Sequence, residues 1–214
     1  MRRLLLLGLV CLLAACGGKG GGSTSGQTQT DANGCVSMSA RSANARTGSK
    51  PTLPLDATKT YDVVVKTNCG SFTIRLDPKQ SPNAVASFVK LVQAKYFDHT
   101  VFHRIVPAFV IQGGDPTATG TGGPGYTTVD RPPSGATYEH GVVAMAKTAA
   151  QPRGAAGSQF FIVTADRAPL PADYAIIGKV TDGLDIVDRI GKLGDASEQP
   201  TEVVEIEQAT VTIS

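Results

Sequence analysis

Hydrophobic residues recur with a strand period along much of the chain from residue 61 onward. Tyr61, Val63 and Val65 alternate with polar neighbours, and the alternation resumes after a turn at 68–70, which predicts a β-hairpin. Further strand-like runs lie at 101–111, with a break at Pro107, and at 141–146, 160–164, 175–180 and 203–213. The pattern predicts a mainly β domain.

Two segments carry the helical period instead. Ser81 and Pro82 provide a predicted N-cap and first turn, and apolar residues then recur at helical spacing from Val85 to Tyr96. A shorter apolar stripe from Leu184 to Ile190 predicts a second helix. Many short strands with two helices indicate a closed or sandwiched antiparallel sheet.

The first sixteen residues are different in character. Arg2 and Arg3 precede an apolar run at 4–13 that is too short to span a bilayer as a helix, which predicts a secretion signal. The run ends in Leu-Ala-Ala-Cys16, which resembles the lipobox of bacterial lipoproteins. We therefore predict cleavage after residue 15 and lipid attachment at Cys16, with an ordinary cleaved signal as the alternative.

The next forty residues lack the composition of a core. Residues 17–33 contain no apolar side chain larger than alanine, which predicts a flexible tether. The chain stays irregular to about residue 57, and Leu53 and Leu55, spaced by prolines, are expected to dock on a neighbouring element. The predicted organisation is a signal peptide at 1–15, a tether and lead-in at 16–58 and a working domain at 59–214.

Four cysteines occur in the chain, and cleavage and lipidation would leave only Cys35 and Cys69 as thiols. An exported protein meets an oxidising compartment, where thiols pair. We predict a disulfide between them, and two free buried thiols are the alternative.

Length and charge narrow the function classes. A chain of 214 residues with 41% hydrophobic residues forms one domain plus extra chain. Loss of Arg2 and Arg3 leaves 18 basic residues against 18 acidic ones, which disfavours nucleic-acid binding as the main role. His99 and His103 lie in a predicted extended segment, where residues four apart are about 13 Å from each other. We therefore expect no metal site at these histidines. We also expect that the protein has no cofactor and is a monomer.

Polar residues interrupt two of the apolar strands. In a strand, Arg104 shares one face with Phe102 and Val106, and a charge in such surroundings needs a partner. Gln159 likewise shares a face with Phe161. Both arrangements suit an apolar pocket with a few hydrogen-bonding groups directed into it.

Four motifs in order resemble the cyclophilin-type peptidyl-prolyl cis–trans isomerases. They are the segments 102–115 (FHRIVPAFVIQGGD), 120–126 (GTGGPGY), 145–146 (MA) and 157–162 (GSQFFI), and the resemblance extends over about 60–213. It implies a closed eight-stranded antiparallel barrel capped by two α-helices, with a peptide groove on the outer surface. It also implies isomerisation of Xaa-Pro bonds, with a proline-peptide binding module or holdase as the alternative. With the predicted lipid anchor, the substrates would be newly exported, unfolded proteins on the extracytoplasmic side of a bacterial membrane.

The resemblance also assigns roles to residues. Arg104 would be the catalytic hydrogen-bond donor. The substrate-binding positions would be Phe109, Val110, Gln112, Gly120, Thr121, Ala146, Lys147, Thr148, Gln159, Phe161, Leu170 and Tyr174. Lys147 stands where asparagine is common and would act through its backbone, and its side chain and that of Arg153 are expected to be solvated. Pro169 stands where cyclosporin-sensitive members have tryptophan, so we expect weak cyclosporin binding.

Overall fold

A computed structural model describes residues 30–39 and 42–214, in which there are thirteen strands and two helices. In chain order the elements are β1 Tyr61–Thr67, β2 Gly70–Leu76, α1 Pro82–Gln93, β3 Thr100–Val101, β4 Arg104–Val106, β5 Val110–Gly113, β6 Thr128–Val129, β7 Tyr138–Glu139, β8 Val142–Met145, β9 Ala155–Ala156, β10 Phe160–Val163, β11 Arg167–Ala168, β12 Ile176–Asp182, α2 Leu184–Ile190 and β13 Glu205–Ile213. Both helices and the longer strands follow the predicted pattern, and four two-residue strands, β6, β7, β9 and β11, were not predicted. Neither helix has the length and apolar character to cross a membrane. The predicted signal peptide and Cys16 lie outside the described residues.

Nine strands form one antiparallel sheet in the order β3-β13-β1-β2-β12-β8-β10-β5-β4, curled into a half-barrel. The expectation of a closed eight-stranded barrel is wrong. The two edge strands, β3 and β4, are consecutive in sequence, but Phe102 and His103 between them belong to neither strand. As a result β3 pairs with β13 and β4 pairs with β5, and no ladder joins the two edges.

This break between β3 and β4 changes which residues share a face. Phe102 is fully buried in the main core, whereas Arg104 and Val106 lie on the partly exposed side of β4 and Ile105 points inward. The expectation that Phe102 and Arg104 share a face is therefore wrong, because strict alternation holds only within a continuous strand. Arg104 keeps its predicted neighbour Val106 on the common face.

Two hydrophobic clusters lie on the two faces of β10. Phe160 and Ile162 belong to the main core, where the Phe160 ring contacts those of Phe88, Phe97 and Phe102. Their neighbours Phe161 and Val163 belong to a second, smaller cluster. Phe161 and Val163 are buried as well, so β10 is covered by chain on both faces.

The start of α1 is stabilised differently from the prediction. Ser81 occupies the N-cap position, but its hydroxyl donates to the carbonyl of Ile176 at 2.6 Å and makes no capping bond. The carboxylate of Asp130 instead accepts from the backbone N–H of Ala84 at 2.6 Å and from the side chain of Asn83. A distant residue thus satisfies the free amide and places a negative charge at the positive end of the helix.

The lead-in segment, residues 42–58, has no helix or strand but is fixed to the domain by backbone bonds. Asn44 and Gly48 donate their N–H groups to the carbonyls of Pro116 and Pro124 at 3.1 and 2.9 Å. Arg46 donates to the carbonyls of Tyr96 and Asp98. Of the two leucines expected to dock, Leu55 packs against the core, but Leu53 is 78% exposed and does not.

The predicted disulfide is present between Cys35 and Cys69. Both residues are buried, and Val36 exchanges hydrogen bonds with Asn68 beside them. The turn from residue 30 to residue 36 is therefore part of the folded domain, although residues 30–33 were predicted to belong to the tether.

Replacing both Cys35 and Cys69 with serine should lower the free energy of unfolding by about 3 to 4 kcal/mol, the chain-entropy value for a loop of about 35 residues. Urea unfolding followed by circular dichroism under oxidising conditions measures the change. Wild-type protein kept reduced should match the double variant, and equal stability of all three samples would contradict the prediction.

Candidate active site

Strand register brings Arg104 and two glutamines together. On β4 and β5, Arg104 lies opposite Gln112, and on β5 and β10, Gln112 lies opposite Phe161. Directly opposite residues of an antiparallel pair point to the same face. The guanidinium of Arg104, 32% exposed, therefore lies beside Gln112 and the second hydrophobic cluster.

A chain of hydrogen bonds, here called the relay, joins these side chains to a glycine-rich loop. Nη1 of Arg104 donates to Oε1 of Gln112 at 3.3 Å, and Nε2 of Gln112 donates to Oε1 of Gln159 at 3.0 Å. Nε2 of Gln159 donates to the carbonyls of Gly120 and Gly122, both at 2.9 Å. Each acceptor along the relay fixes the orientation of the next donor.

The predicted apolar positions gather beside Arg104. The second cluster contains Val110 and Phe161 as buried members, with further predicted positions packed against it: Phe109, Ala146, Leu170 and Tyr174. The rings of Phe161 and Tyr174 meet edge to face, with centroids 5.4 Å apart. The structure thus provides an apolar surface with one cationic donor at its edge.

Tyr138 supports this surface and was not singled out from the sequence. It is fully buried, and its hydroxyl donates to the carbonyl of Tyr174 and accepts from the N–H of the same residue, both at 2.9 Å. Its ring also contacts Phe161. No local motif marks it, because its role depends on a partner 36 residues later in the chain.

Lys147 and Arg153 are not solvated as expected. The Lys147 side chain is only 5% exposed, forms an ion pair with Asp173 and lies 5.6 Å from the centre of the Tyr174 ring. Arg153 donates to the carbonyls of Ala172 and Pro132. Both cations therefore hold the loop that carries Tyr174. The guanidinium binds two carbonyls through its several donors, and the ammonium pairs with one carboxylate as a compact charge.

A cavity of about 520 Å³ adjoins the relay. Its wall includes the glycine-rich rim, defined as residues 120–126, and the predicted positions on the facing side, Ala146, Lys147 and Thr148. Together the relay, the apolar surface and this cavity contain every residue predicted to bind substrate.

Asp115 holds the rim from beneath. Its carboxylate accepts from the N–H and hydroxyl of Thr117 and from the N–H of Gly122. Burial alone would raise the pKa of Asp115, but these hydrogen bonds outweigh it and keep the pKa below its usual value. A Cβ at Gly122 would lie 2.0 Å from the carboxylate, so only glycine allows this approach.

Glu198, which the sequence did not indicate, is the direct partner of Arg104. Its Oε2 accepts from Nε of Arg104 at 2.6 Å. His103, which precedes Arg104 in the chain, has buried ring nitrogens without a well-formed hydrogen bond to any described residue. Burial lowers the pKa of His103 below its ordinary value, Asp115 opposes that shift and Arg104 adds to it.

His99, the other histidine considered as a metal ligand, is paired with a carboxylate. Nδ1 of His99 lies 2.7 Å from a carboxylate oxygen of Glu205. Within 30–39 and 42–214, the one cluster of potential ligands is Asp31, Cys35 and Glu202, and its sulfur is already bound in the disulfide.

Known proteins similar to this chain share both its sequence and its fold. The sequence model of the family described as cyclophilin type peptidyl-prolyl cis-trans isomerase/CLD matches residues 62–211. Peptidyl-prolyl cis-trans isomerase-like 1 of Gibberella zeae is 36% identical over 157 residues, which cover 71% of this chain and 95% of that protein. Peptidyl-prolyl cis-trans isomerase B of Bacillus subtilis is 39% identical over 125 residues, or 58% and 85% of the two chains.

A solved structure agrees with these matches. The crystal structure of a Cryptosporidium parvum cyclophilin type peptidyl-prolyl cis-trans isomerase, determined in the presence of the dipeptide Ala-Pro, has a TM-score of 0.65 and 32% identity and covers 71% of this chain and 98% of its own. The range matched by the family model contains the strands of the large sheet except for the first residue of β1 and the last two of β13, and it contains both helices and every residue of the relay. The predicted isomerase function is confirmed, and the chain belongs to the family of cyclophilin-type peptidyl-prolyl cis–trans isomerases.

Proposed function

We propose that this isomerase uses Arg104 to stabilise the twisted Xaa-Pro amide and the second hydrophobic cluster to hold the proline ring. Rotation about the bond faces a barrier of about 18 to 20 kcal/mol because amide resonance is lost. No bond is made or broken, so the chemistry requires neither a nucleophile nor a proton transfer. It requires a group that interacts more strongly with the twisted amide than with the planar one.

The guanidinium of Arg104 has the properties for this role. In the twisted amide the nitrogen regains a lone pair and becomes a hydrogen-bond acceptor, and a guanidinium is a donor that stays charged. Nε and Nη1 are occupied by Glu198 and Gln112, which leaves Nη2 without a partner among the described residues. A donor that contributes about 3 kcal/mol more in the twisted state gives an acceleration of roughly 100-fold.

The apolar surface beside Arg104 provides the binding energy. The cluster combines the buried Phe161 with the partly exposed side chains of Phe109, Leu170 and Tyr174, which would contact the proline ring. A proline ring that packs on this surface brings its amide nitrogen to the edge where Arg104 lies. Backbone groups of residues 146–148 and of the rim would then bind the flanking peptide.

The substrates of this proposal are proline-containing segments of newly exported proteins that have not yet folded. The apolar leader, the lipobox-like residues and the tether-like composition support export and lipid attachment at Cys16. A buried disulfide suits an oxidising compartment. In such a compartment uncatalysed isomerisation takes tens to hundreds of seconds and limits folding, so an anchored isomerase would act where substrates emerge.

Replacing Arg104 with alanine should lower kcat/KM for an Xaa-Pro peptide by about 100-fold, because the donor to the twisted amide is lost. Arg104→Lys should recover only a small part, since lysine keeps the charge but not the fork of donors. NMR exchange or a protease-coupled assay measures the rate. Arg75→Ala, which removes a surface arginine paired with Asp62, is the control and should be unaffected. Activity of Arg104→Ala within twofold of wild type would refute the proposed role.

Replacing Cys16 with serine should release the protein from the membrane fraction of a bacterial host that processes lipoproteins. Cys11→Ser, which alters the other cysteine of the leader, is the matched control and should stay membrane-bound. Intact-mass spectrometry should show a diacylglyceryl-modified Cys16 in the control and no lipid in Cys16→Ser. Equal fractionation of both variants, without lipid in either, would rule out the anchor.

A further inference from the structure

The loop between α2 and β13 forms hydrogen bonds with two successive residues of β4. The backbone carbonyl of Glu198 accepts from the N–H of Ile105 at 3.0 Å, and its carboxylate accepts from Nε of Arg104 at 2.6 Å. Among the described residues, Glu198 in this loop is the one charged side chain that pairs with Arg104. It binds Nε, whereas the relay binds Nη1.

The loop has a fixed shape that does not depend on the Glu198 carboxylate. Asp195 accepts from the N–H groups of Ser197 and Gln199 through its side chain, and its carbonyl accepts from the N–H of Glu198. A Cβ at Gly194 would lie 2.2 Å from the carbonyl of Ile105, so the loop sits directly on β4. Position 198 is therefore held against Arg104 whatever its side chain.

The backbone at Glu198 is strained. Its φ is +64°, in the left-handed region that glycine adopts freely and a β-carbon disfavours. The ion pair that its side chain makes is half-exposed, at 47% for Glu198 and 32% for Arg104, and such pairs contribute little to folding stability. A side chain that costs backbone strain and returns little stability is a candidate for a functional role.

We propose that Glu198 is a positioning residue that locks the guanidinium of Arg104 in its catalytic orientation, an inference that rests on the proposed role of Arg104. The contact of Arg104 with Gln112 is a neutral-acceptor bond of 3.3 Å and holds the guanidinium through Nη1 alone. The charge-assisted bond to Glu198 is much shorter and holds the opposite edge of the guanidinium plane. With both edges held, Nη2 is directed outward to the amide of a bound peptide.

The test replaces Glu198 with glycine and with glutamine in the full chain. Glu198→Gly relieves the backbone strain and removes the carboxylate, so unfolding stability should be equal to or above that of wild type while kcat falls about tenfold. KM should change little, because the bond from Arg104 to the amide forms in the transition state. Glu198→Gln keeps a neutral acceptor and should lose about threefold in kcat. The charge-matched control is Glu207→Gln on β13, which removes a carboxylate paired with Lys66 on β1 and should leave kcat unchanged.

Two further measurements separate this inference from the proposed function on which it rests. The ¹⁵N–¹H signal of Arg104 Nε should lie downfield in wild type and move toward the free-arginine position in Glu198→Gly, which shows that the bond exists in solution, whereas the fall in kcat at unchanged KM shows that it positions the donor. In an Arg104→Ala background, Glu198→Gly should have no further effect on the rate. If Arg104→Ala is active, the proposed function fails. If Arg104→Ala is inactive but both Glu198 variants keep wild-type kcat, the positioning role alone is overturned. If Glu198→Gly does not fold, the kcat of Glu198→Gln decides between the two outcomes.

Discussion

The antiparallel register of β4, β5 and β10 is the constraint on which the groove depends. It sets Gln112 opposite both Arg104 and Phe161, so a cation, an amide and an aromatic ring share one face. Because side chains alternate along a strand, a slip of one residue in β10 would exchange Phe161 with Phe160, a core residue in contact with three other rings. The packing of the main core therefore fixes the geometry of the outer surface.

Rigidity matters unusually in a reaction without covalent steps. The catalytic advantage comes only from the difference between binding the twisted and the planar amide, so a donor that drifts loses it. The structure holds the groove from several sides: Asp115 beneath the rim, Tyr138 behind Tyr174, and the Lys147–Asp173 pair at the same loop. Each of these contacts joins residues that are distant in sequence or supplied by a loop, and together they fix the groove before a peptide arrives.

Much of the fold could be predicted from the sequence, because the β1–β2 hairpin and both helices follow clear periodicities and the motifs at 102–115 and 157–162 identify the family. The break between β3 and β4 at Phe102 and His103 could not, since strand alternation looks unbroken there and only the pairing with β13 and β5 reveals two strands. Glu198 and Tyr138 could not be predicted either, because their partners lie 94 and 36 residues away. The lipid anchor at Cys16 and the catalytic role of Arg104 remain predictions.

The disulfide has a mechanical consequence for the groove. The lead-in segment bonds to the carbonyls of Pro116 and Pro124, at either end of the loop that carries most of the rim, so a pull transmitted along that segment would distort the peptide-binding wall. Any tension on the chain that precedes Cys35 reaches the covalent link to Cys69 before it reaches that segment. The load then passes into the β1–β2 corner of the sheet and bypasses the rim. An enzyme built in this way can be held at a surface without its groove being deformed by the attachment.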